Sequence, residues 1–155
     1  MLTSLQNDRV KFYARLMNNK KERDKSGVFV VEGKHLVDEG LKAKAVIELL
    51  ISDKKYDVYD DIKKYYVTEN IMKKICAADT PQGIVGLCRM TVSREFLSYN
   101  RLLLLDDVQD PGNLGTIIRS CLAFNFDGIV LSANSVDEYN PKVIRATQGA
   151  IFKVP

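Results

Sequence analysis

The first ninety residues alternate between short apolar runs and segments whose apolar positions recur at helical spacing. Runs typical of β-strands occupy residues 28–31, 46–51, 65–67 and 83–87. Helical spacing favours helices over residues 5–16, 33–42 and 68–76. The intervening polar segment, residues 18–27, predicts a loop. The expected order of elements is therefore α-β-α-β-β-α-β.

A second series of elements begins after a more polar connection at residues 91–100. Four consecutive leucines at residues 102–105 are typical of a buried parallel strand. A helix follows the Pro-Gly turn, with Asn113 as its expected N-cap. Another strand at residues 128–131 and a helix starting at Asn140 complete a βαβα series.

The pattern predicts an α/β fold in two domains. We place the boundary near residue 98, which gives domains over residues 1–97 and 98–155. The first is a small α/β domain, and the second starts a parallel sheet with helices against it.

The sequence argues against a membrane-spanning protein and against a secreted one. No apolar run in the 155 residues is long enough to span a bilayer, and the N-terminal segment lacks the apolar core of a signal peptide. The three cysteines, Cys76, Cys88 and Cys121, lie in apolar contexts without CxxC spacing, so we expect a reduced, cytoplasmic protein with no metal site.

Positive charge is concentrated near the N-terminus. The net charge is only +3, but seven basic residues accompany three acidic ones in the first 25 positions. This excess indicates a candidate phosphate-binding surface. A solvated helix face followed by a charged turn explains the same run equally well.

The candidate site lies where the leucine strand meets the following helix. Asp106, Asp107 and Asp110 follow the carboxyl end of the strand, which is where open α/β sheets bind ligands. At helical spacing Arg119 lies one turn after Gly115, so the missing side chain there would leave the guanidinium accessible to a phosphate. Ordinary strand-turn-helix construction remains the alternative for this segment.

The string D-x-V-x-D-P-x-N-x-G-x-I-x-R, from Asp106 to Arg119, resembles the first signature motif of the SpoU/TrmH family of RNA ribose 2′-O-methyltransferases. The tract from Asn140 to Pro155 is similar to the next helix of that family. The resemblance implies a SPOUT domain, a knotted Rossmann-like parallel sheet, with Asn113 and Arg119 as catalytic residues and S-adenosylmethionine as methyl donor.

The resemblance reaches only the amino-terminal part of the family's methyltransferase domain. We therefore expect an incomplete domain, without the knot and without residues that bind the cofactor. An inactive fragment is the expectation for the chain itself. An exposed sheet edge and uncovered apolar helix faces would then favour association or poor solubility.

The first domain adds a second resemblance. Phe29-Val-Val-Glu32-Gly33 and Thr80-Pro-Gln82-Gly83-Ile84 are similar to the small RNA-binding domain, itself similar to some large-subunit ribosomal proteins, that precedes many SpoU/TrmH catalytic domains. The resemblance implies that this domain grips ribosomal or transfer RNA, and that the full-length protein is a homodimer. The predicted RNA contacts are Asn7, Lys11, Lys20, Lys21, Arg23, Lys34, His35 and Arg145.

For several residues the sequence allows both a functional and a structural interpretation. His35 is the only histidine, and with no partner at triad spacing we expect surface or RNA contact and not general-base catalysis. Glu32 is expected to be a helix-start carboxylate. Tyr56, Tyr59, Tyr65 and Tyr66 are expected to serve in packing and not in base stacking.

The main functional alternative is a non-catalytic RNA-binding module. A nucleotide-binding α/β protein is a weaker third reading, since Gly112 and Gly115 match neither GxGxxG nor the phosphate-loop pattern.

Overall fold

The computed structural model describes residues 1–91 and 98–155, which form two compact units, Met1–Met90 and Thr91–Pro155. We call them the first and second units. The predicted boundary between residues 97 and 98 adjoins residues 92–97, which lie outside the described part, and it stays a prediction.

The first unit is a mixed four-stranded sheet with helices on both faces. Its elements are α1 (Asp8–Asn18), α2 (Lys20–Ser26), β1 (Val28–Glu32), α3 (Lys34–Lys42), β2 (Val46–Ile51), a 3-10 turn (Lys54–Tyr56), β3 (Lys63–Tyr66), α4 (Glu69–Ile75) and β4 (Ile84–Arg89). The strand order is β1-β4-β2-β3. β4 runs antiparallel to β1 and β2, whereas β2 and β3 are parallel.

Side-chain alternation along the strands divides the core of the first unit between two faces. Val30, Leu50 and Val85 share one apolar cluster with buried residues of α1 and α4. On the other face Gly86 lies against Val37 of α3, where an added Cβ would be 3.4 Å from a Val37 methyl carbon. Gly86 therefore lets α3 approach the sheet closely.

Most of the segment 18–27 is helical, because α2 occupies Lys20–Ser26, so the predicted loop is wrong. The Asn19 side chain accepts a hydrogen bond from the Lys21 amide at the start of α2, and Gly27 ends the helix in the left-handed conformation at φ 67°. An asparagine N-cap is a standard signal for the start of a helix, and a left-handed glycine is a standard signal for its end. The prediction failed because α2 contains no apolar residue, so hydrophobic spacing gives no helical signal there.

The second unit contains β5 (Leu102–Leu105), α5 (Pro111–Ala123), β6 (Gly128–Leu131), α6 (Pro141–Thr147) and a 3-10 turn (Ala150–Phe152). β5 and β6 pair in parallel, which confirms the expected α/β arrangement. The leucine strand is not buried as predicted, since Leu104 is 73% exposed. Successive strand residues face opposite sides, so an apolar run is fully buried only where both faces of the sheet are covered.

Candidate active site at the start of α5

The loops that follow β5 and β6 are tied together by hydrogen bonds. The amide of Asp107 donates to Ser132 Oγ at 2.9 Å, and the amide of Val108 donates to Ser135 Oγ at 3.2 Å. The two serine hydroxyls lie 3.1 Å apart and share a hydrogen bond. Asp107 has a φ of 55°, an uncommon conformation for a residue other than glycine. The two loops therefore form one ordered edge at the carboxyl ends of the parallel strands.

Gln109 strengthens this edge, although no local pattern in the chain singles it out. Its Nε2 donates to Asp107 Oδ1 at 2.7 Å and to the carbonyl oxygen of Asn134 at 2.5 Å. One side chain thus joins the loop after β5 to the loop after β6. A glutamine in a turn carries no signal for such a contact, because the partner loop lies 25 residues along the chain.

The N-cap of α5 is Asp110, and the prediction that Asn113 fills this role is wrong. Asp110 Oδ1 accepts a hydrogen bond from the Asn113 amide at 2.7 Å. Pro111 takes the first helical position, where its missing N–H costs nothing. The cap therefore lies three residues before the predicted one and the helix begins at Pro111, so the exposed Asn113 side chain is not needed for capping.

Gly115 has a different purpose from the one its spacing suggested. It is buried, and a Cβ added there would lie 2.3 Å from the Ala146 Cβ of α6. The glycine therefore allows α5 and α6 to touch and does not clear space for Arg119. Arg119 is nevertheless exposed, because the buried stripe of α5 faces away from it.

Asn113 and Arg119 lie on the exposed side of α5. Positions six residues apart on a helix are separated by about 120° around the axis and about 9 Å along it. Thr116 is exposed between them. A long arginine side chain on a helix leans toward the amino end, so the guanidinium can approach the region of Asn113. The two predicted catalytic residues share one accessible surface, and their catalytic roles stay predictions.

The structure separates the predicted RNA contacts of the first unit into different environments. Arg23 is only 4% exposed, and its Nη1 donates to the carbonyl oxygen of Leu16. Arg23 is therefore a structural link between α2 and α1, and its burial leaves little of the side chain accessible for the predicted RNA contact, which stays a prediction. Lys20 is paired with Asp24 one turn later, whereas Lys21 is exposed on the same helix.

The other predicted contacts lie at or near the surface. The half-buried Asn7 caps α1 by accepting a hydrogen bond from the Arg9 amide at 3.0 Å, and Lys11 is exposed on that helix. Lys34 and His35 are exposed in the first turn of α3, and Arg145 is exposed on α6 of the second unit. These positions are compatible with RNA contact, which stays a prediction for each of them.

Lys34 is also part of a charged group with Asp38 and Tyr59. Lys34 Nζ and the Tyr59 hydroxyl both donate to the Asp38 carboxylate. Partial burial would raise the pKa of Asp38, but the two hydrogen bonds outweigh it and the pKa is lowered. Asp38 therefore stays ionised and neutralises part of the Lys34 charge near neutral pH.

Glu32 does not serve as a helix-start carboxylate. Its Oε1 accepts from the Ala77 amide at 2.6 Å, and its Oε2 accepts from the Ala78 amide at 3.3 Å. Glu32 thus anchors the loop after α4 to the end of β1. The sequence separation of 45 residues explains why local pattern could not reveal this contact.

The four tyrosines divide between packing and surface contacts. Tyr56 is buried, as expected. The Tyr65 ring lies 4.0 Å from the Arg9 guanidinium carbon, measured to the ring centroid. Tyr66 is 38% exposed, and its hydroxyl donates to Asp57 at 2.5 Å. Tyr56 therefore serves in packing, whereas Tyr66 lies at the surface and makes a polar contact.

The described residues contain no cluster of His, Cys, Asp and Glu suited to a metal ion. Burial raises the pKa of the Cys88 and Cys121 thiols, which favours their protonated form. In the same part of the chain no helix is both long enough and apolar enough to cross a membrane.

Comparison with known proteins agrees with this architecture. The family model described as the MRM3-like substrate binding domain matches residues 7–86, and the model described as the SpoU rRNA Methylase family matches residues 100–155. The chain is 37% identical to the Bacillus subtilis 23S rRNA (guanosine(2553)-2′-O)-methyltransferase RlmP, over 99% of the chain and 63% of that protein. It is 33% identical to human mitochondrial rRNA methyltransferase 3, over 86% of the chain and 35% of that protein.

A solved structure shows the same fold. The AdoMet-bound rRNA methyltransferase from Sinorhizobium meliloti is 32% identical and aligns with a TM-score of 0.84, over 99% of this chain and 62% of that one. The chain thus spans 63% and 62% of the Bacillus and Sinorhizobium proteins and 35% of the human one. It belongs to the SpoU rRNA methylase family, with an MRM3-like substrate-binding domain preceding the SpoU region.

Proposed function

We propose that the protein containing this chain transfers a methyl group from S-adenosylmethionine to a ribose 2′-hydroxyl of ribosomal RNA. The observation that carries this proposal is α5, which starts at the carboxyl end of β5 and exposes Asn113 and Arg119 together. Family membership and the 2′-O activity named for the Bacillus relative support it. Transfer RNA is the second substrate class to test.

Arg119 is proposed to act through its charge. A ribose hydroxyl is a weak nucleophile until its proton leaves, and transfer forms an oxygen–carbon bond while the carbon–sulfur bond of the donor breaks. A guanidinium stays protonated, so it does not accept that proton. We assign Arg119 to holding a phosphate of the target RNA and stabilising negative charge on the 2′-oxygen, with that phosphate as the proton acceptor.

Asn113 is proposed to orient the RNA or the Arg119 side chain. Because Asp110 caps α5, the Asn113 carboxamide is not required to satisfy the helix terminus. An exposed amide near the start of the helix can donate to a phosphate or ribose oxygen. Correct orientation of the attacking hydroxyl lowers the entropic part of the barrier.

S-adenosylmethionine supplies the electrophilic methyl group. The polar atoms at the edge formed by β5 and β6 are largely engaged with one another: the Ser132 and Ser135 hydroxyls accept the two amides of the β5 loop, and Gln109 bridges the same loops. No residue of the chain is assigned to cofactor binding.

The first unit is proposed to bind the RNA substrate, as its family description indicates. Cys76, Cys88 and Cys121 form no disulfide bond within the described residues, which supports a reducing, cytoplasmic location. A homodimer is proposed for the full-length protein, and analytical ultracentrifugation of that protein tests it; a monomer at micromolar concentration would contradict it.

The test is methyl transfer by the full-length gene product, with methyl-labelled S-adenosylmethionine and either ribosomal or transfer RNA. Alkali-resistant labelled dinucleotides identify a 2′-O-methyl product. Arg119→Ala should lower kcat by at least about 100-fold, because a charge that stabilises the transition state is lost. Arg119→Lys should recover part of the rate, since it keeps the charge but not the bidentate geometry.

Ser120→Ala on the same helix is the matched control, because within residues 1–91 and 98–155 its hydroxyl bonds only to the Thr116 carbonyl of its own helix. It should retain the wild-type rate. Full activity of Arg119→Ala would overturn the assignment of this residue. RNA binding without methyl transfer by the wild-type protein would favour the non-catalytic RNA-binding module.

A further inference from the structure

A cleft of 690 Å³ opens at one edge of the four-stranded sheet, and we call it the edge cleft. Its walls are residues 52–54 after β2, one side of α4, and residues 79–83 before β4. β1, β2 and β3 run in the same direction, so their carboxyl ends meet at this edge. The volume lies within the range of about 300–1,000 Å³ that is usual for small-ligand sites.

Backbone hydrogen bonds hold the floor of the edge cleft in a fixed conformation. The amides of Ser52 and Asp53 both donate to the Gly83 carbonyl oxygen, at 2.9 and 3.4 Å. Gly83 has a φ of 90°, and a Cβ added there would lie 2.8 Å from the Asp53 Cβ. Two of the three walls are therefore held in contact by a position that only glycine fills without strain.

Gln82 connects the edge cleft to the first turn of α3. Its Oε1 accepts a hydrogen bond from the Lys34 amide at 3.0 Å, and Gly33 allows the Gln82 side chain to lie against the backbone. Within the described residues the Gln82 Nε2 donates to no other group. The exposed side chains of Lys34 and His35 thus begin immediately beside the cleft.

The lining offers the functional groups that a nucleotide requires. Lys54 and Lys73 supply positive charge, and the Ser52 and Thr80 hydroxyls and the Gln82 amide supply hydrogen bonds. Pro81 is half-buried in the lining and contributes apolar surface for the face of a base. A base stacks through its flat face and is read through its polar edge, whereas its phosphate needs a cation.

The acidic side chains that line the edge cleft are compatible with nucleotide binding. Hydrogen bonds from the Lys55 side chain and amide lower the pKa of Asp53, and the Lys55 ammonium lies 2.7 Å from its carboxylate. The charge of Asp53 is therefore matched by Lys55. Asp79 and Glu69 are exposed, and they can accept hydrogen bonds from the amino group of a base.

The alternative surface on α1 and α2 is less suited to RNA than its sequence suggested. Arg23 is buried, Arg15 pairs with Glu22, and Lys20 pairs with Asp24. Arg9 also pairs with Glu48, so four of the seven basic residues in that run are already balanced or enclosed. The edge cleft combines free cations, hydrogen-bonding groups and a concave shape in one place.

We infer that the edge cleft binds an unstacked nucleotide from a single-stranded loop of the substrate RNA. The inference rests on the RNA-binding part of the proposed function and adds the place of binding and the form of RNA. Sequence-selective RNA proteins usually contact single-stranded loops, because a paired base hides its polar edge.

The experiment measures binding of the whole chain to a fluorescein-labelled RNA hairpin with a single-stranded loop, and to its stem as a blunt duplex. Fluorescence anisotropy over a series of potassium chloride concentrations gives the affinity and its salt dependence. Lys54→Ala combined with Lys73→Ala should weaken hairpin binding about 10-fold or more, and should reduce the slope of log K against log salt by about 1.4. Gln82→Ala should weaken hairpin binding with an unchanged slope.

Lys44→Ala combined with Lys63→Ala is the matched control, since it removes the same charge from exposed positions outside the cleft. It should leave hairpin binding near the wild-type value. Far-UV circular dichroism of every variant should match the wild-type spectrum. If a cleft variant loses the native spectrum, Lys54→Gln and Lys73→Gln replace it in the same measurement.

Several results would overturn the inference. They are unchanged hairpin affinity in the folded cleft variants, an equal loss in the control, equal dependence of hairpin and duplex on the cleft, or no RNA binding by the wild-type chain. A loss confined to Lys20→Ala combined with Lys21→Ala would place binding on α2. Methyl transfer is scored separately with the full-length protein, so dependence of hairpin binding on the cleft would stand even if the wild-type enzyme transferred nothing.

Discussion

Gly115 of α5 lies directly against Ala146 of α6: a Cβ on Gly115 would be 2.3 Å from the Ala146 Cβ and 2.9 Å from the Ala146 carbonyl carbon. Carbon atoms that are not bonded to each other do not approach so closely, so any side chain at position 115 forces the two helices apart. The family motif that carries Asn113 and Arg119 therefore also contains the contact that holds their helix in place. The segment from Asp106 to Arg119 therefore contains both this helix-packing contact and the two proposed catalytic residues.

Gly115→Ala should destabilise the second unit by about 1–3 kcal/mol, since overpacking a close helix contact displaces the backbone. Hydrogen–deuterium exchange of peptides from α5 and α6 measures this effect separately from the first unit. Gly112→Ala on the same helix is the control, because an added Cβ there meets only a carboxylate oxygen of Asp110. Exchange in Gly115→Ala that equals the wild-type rate would show that the helices do not touch as described.

A second change tests the contact from the other side. Ala146→Gly removes the 2.3 Å clash from Gly115→Ala but leaves the 2.9 Å approach to the Ala146 backbone. The double variant should therefore recover only part of the lost stability. Complete recovery would mean that side-chain contact alone limits the distance, and no recovery would mean that the two sites are independent.

Asp110→Ala should weaken α5 by about 1 kcal/mol, because the Asn113 amide loses its capping acceptor. Asp110→Ser keeps a capping oxygen and should retain most of the stability. Exchange rates of amides in the first turn of α5 report the difference. If Asn113→Ala proved the more damaging change to this turn, Asn113 and not Asp110 would be the effective cap.

Arg23→Met should destabilise the first unit by about 1.5–3 kcal/mol, the usual worth of a hydrogen bond to a charged group. The change leaves the Leu16 carbonyl oxygen without the Arg23 donor. Lys21→Met, at an exposed position of the same helix, should change stability little. Urea unfolding followed by circular dichroism compares the two; similar midpoints would contradict the structural role of Arg23.

Asp127 should make the second unit sensitive to acid. The amides of Arg101 and Asn100 each donate to its Oδ2 at 2.8 Å, and these hydrogen bonds lower its pKa below the ordinary value. A carboxylate whose pKa is lower in the folded than in the unfolded state stabilises the fold above the unfolded pKa of about 3.9. That contribution disappears as the pH falls through the lowered pKa.

Asp127→Asn should therefore be less stable than the wild type at pH 7, and the difference should shrink as the pH falls below about 4. Thermal unfolding across this range measures it, with Asp106→Asn as a control in the exposed part of the β5 loop. A gap between wild type and Asp127→Asn that stayed constant with pH would exclude this linkage.

Elements with clear local signals were predicted closely. β2 occupies residues 46–51 as expected, Thr68 caps α4, and Asn140 caps α6. Each of these depends on residues within one turn or one strand, and their side chains have the same preference in a short peptide as in the folded protein. The family motif likewise identified the strand and helix that carry Asn113 and Arg119.

Contacts between distant segments decided the remainder. Nothing near Gly115 in the chain indicates that Ala146 lies against it, and nothing near Arg23 shows that packing encloses its side chain. The same holds for Gln82 on the amide of Lys34, 48 residues away. Hydrophobic spacing and capping are local properties of a chain, whereas burial, helix contact distances and cleft walls depend on which segments meet. Only folding brings those segments together, so the environment of each candidate residue had to come from the tertiary structure.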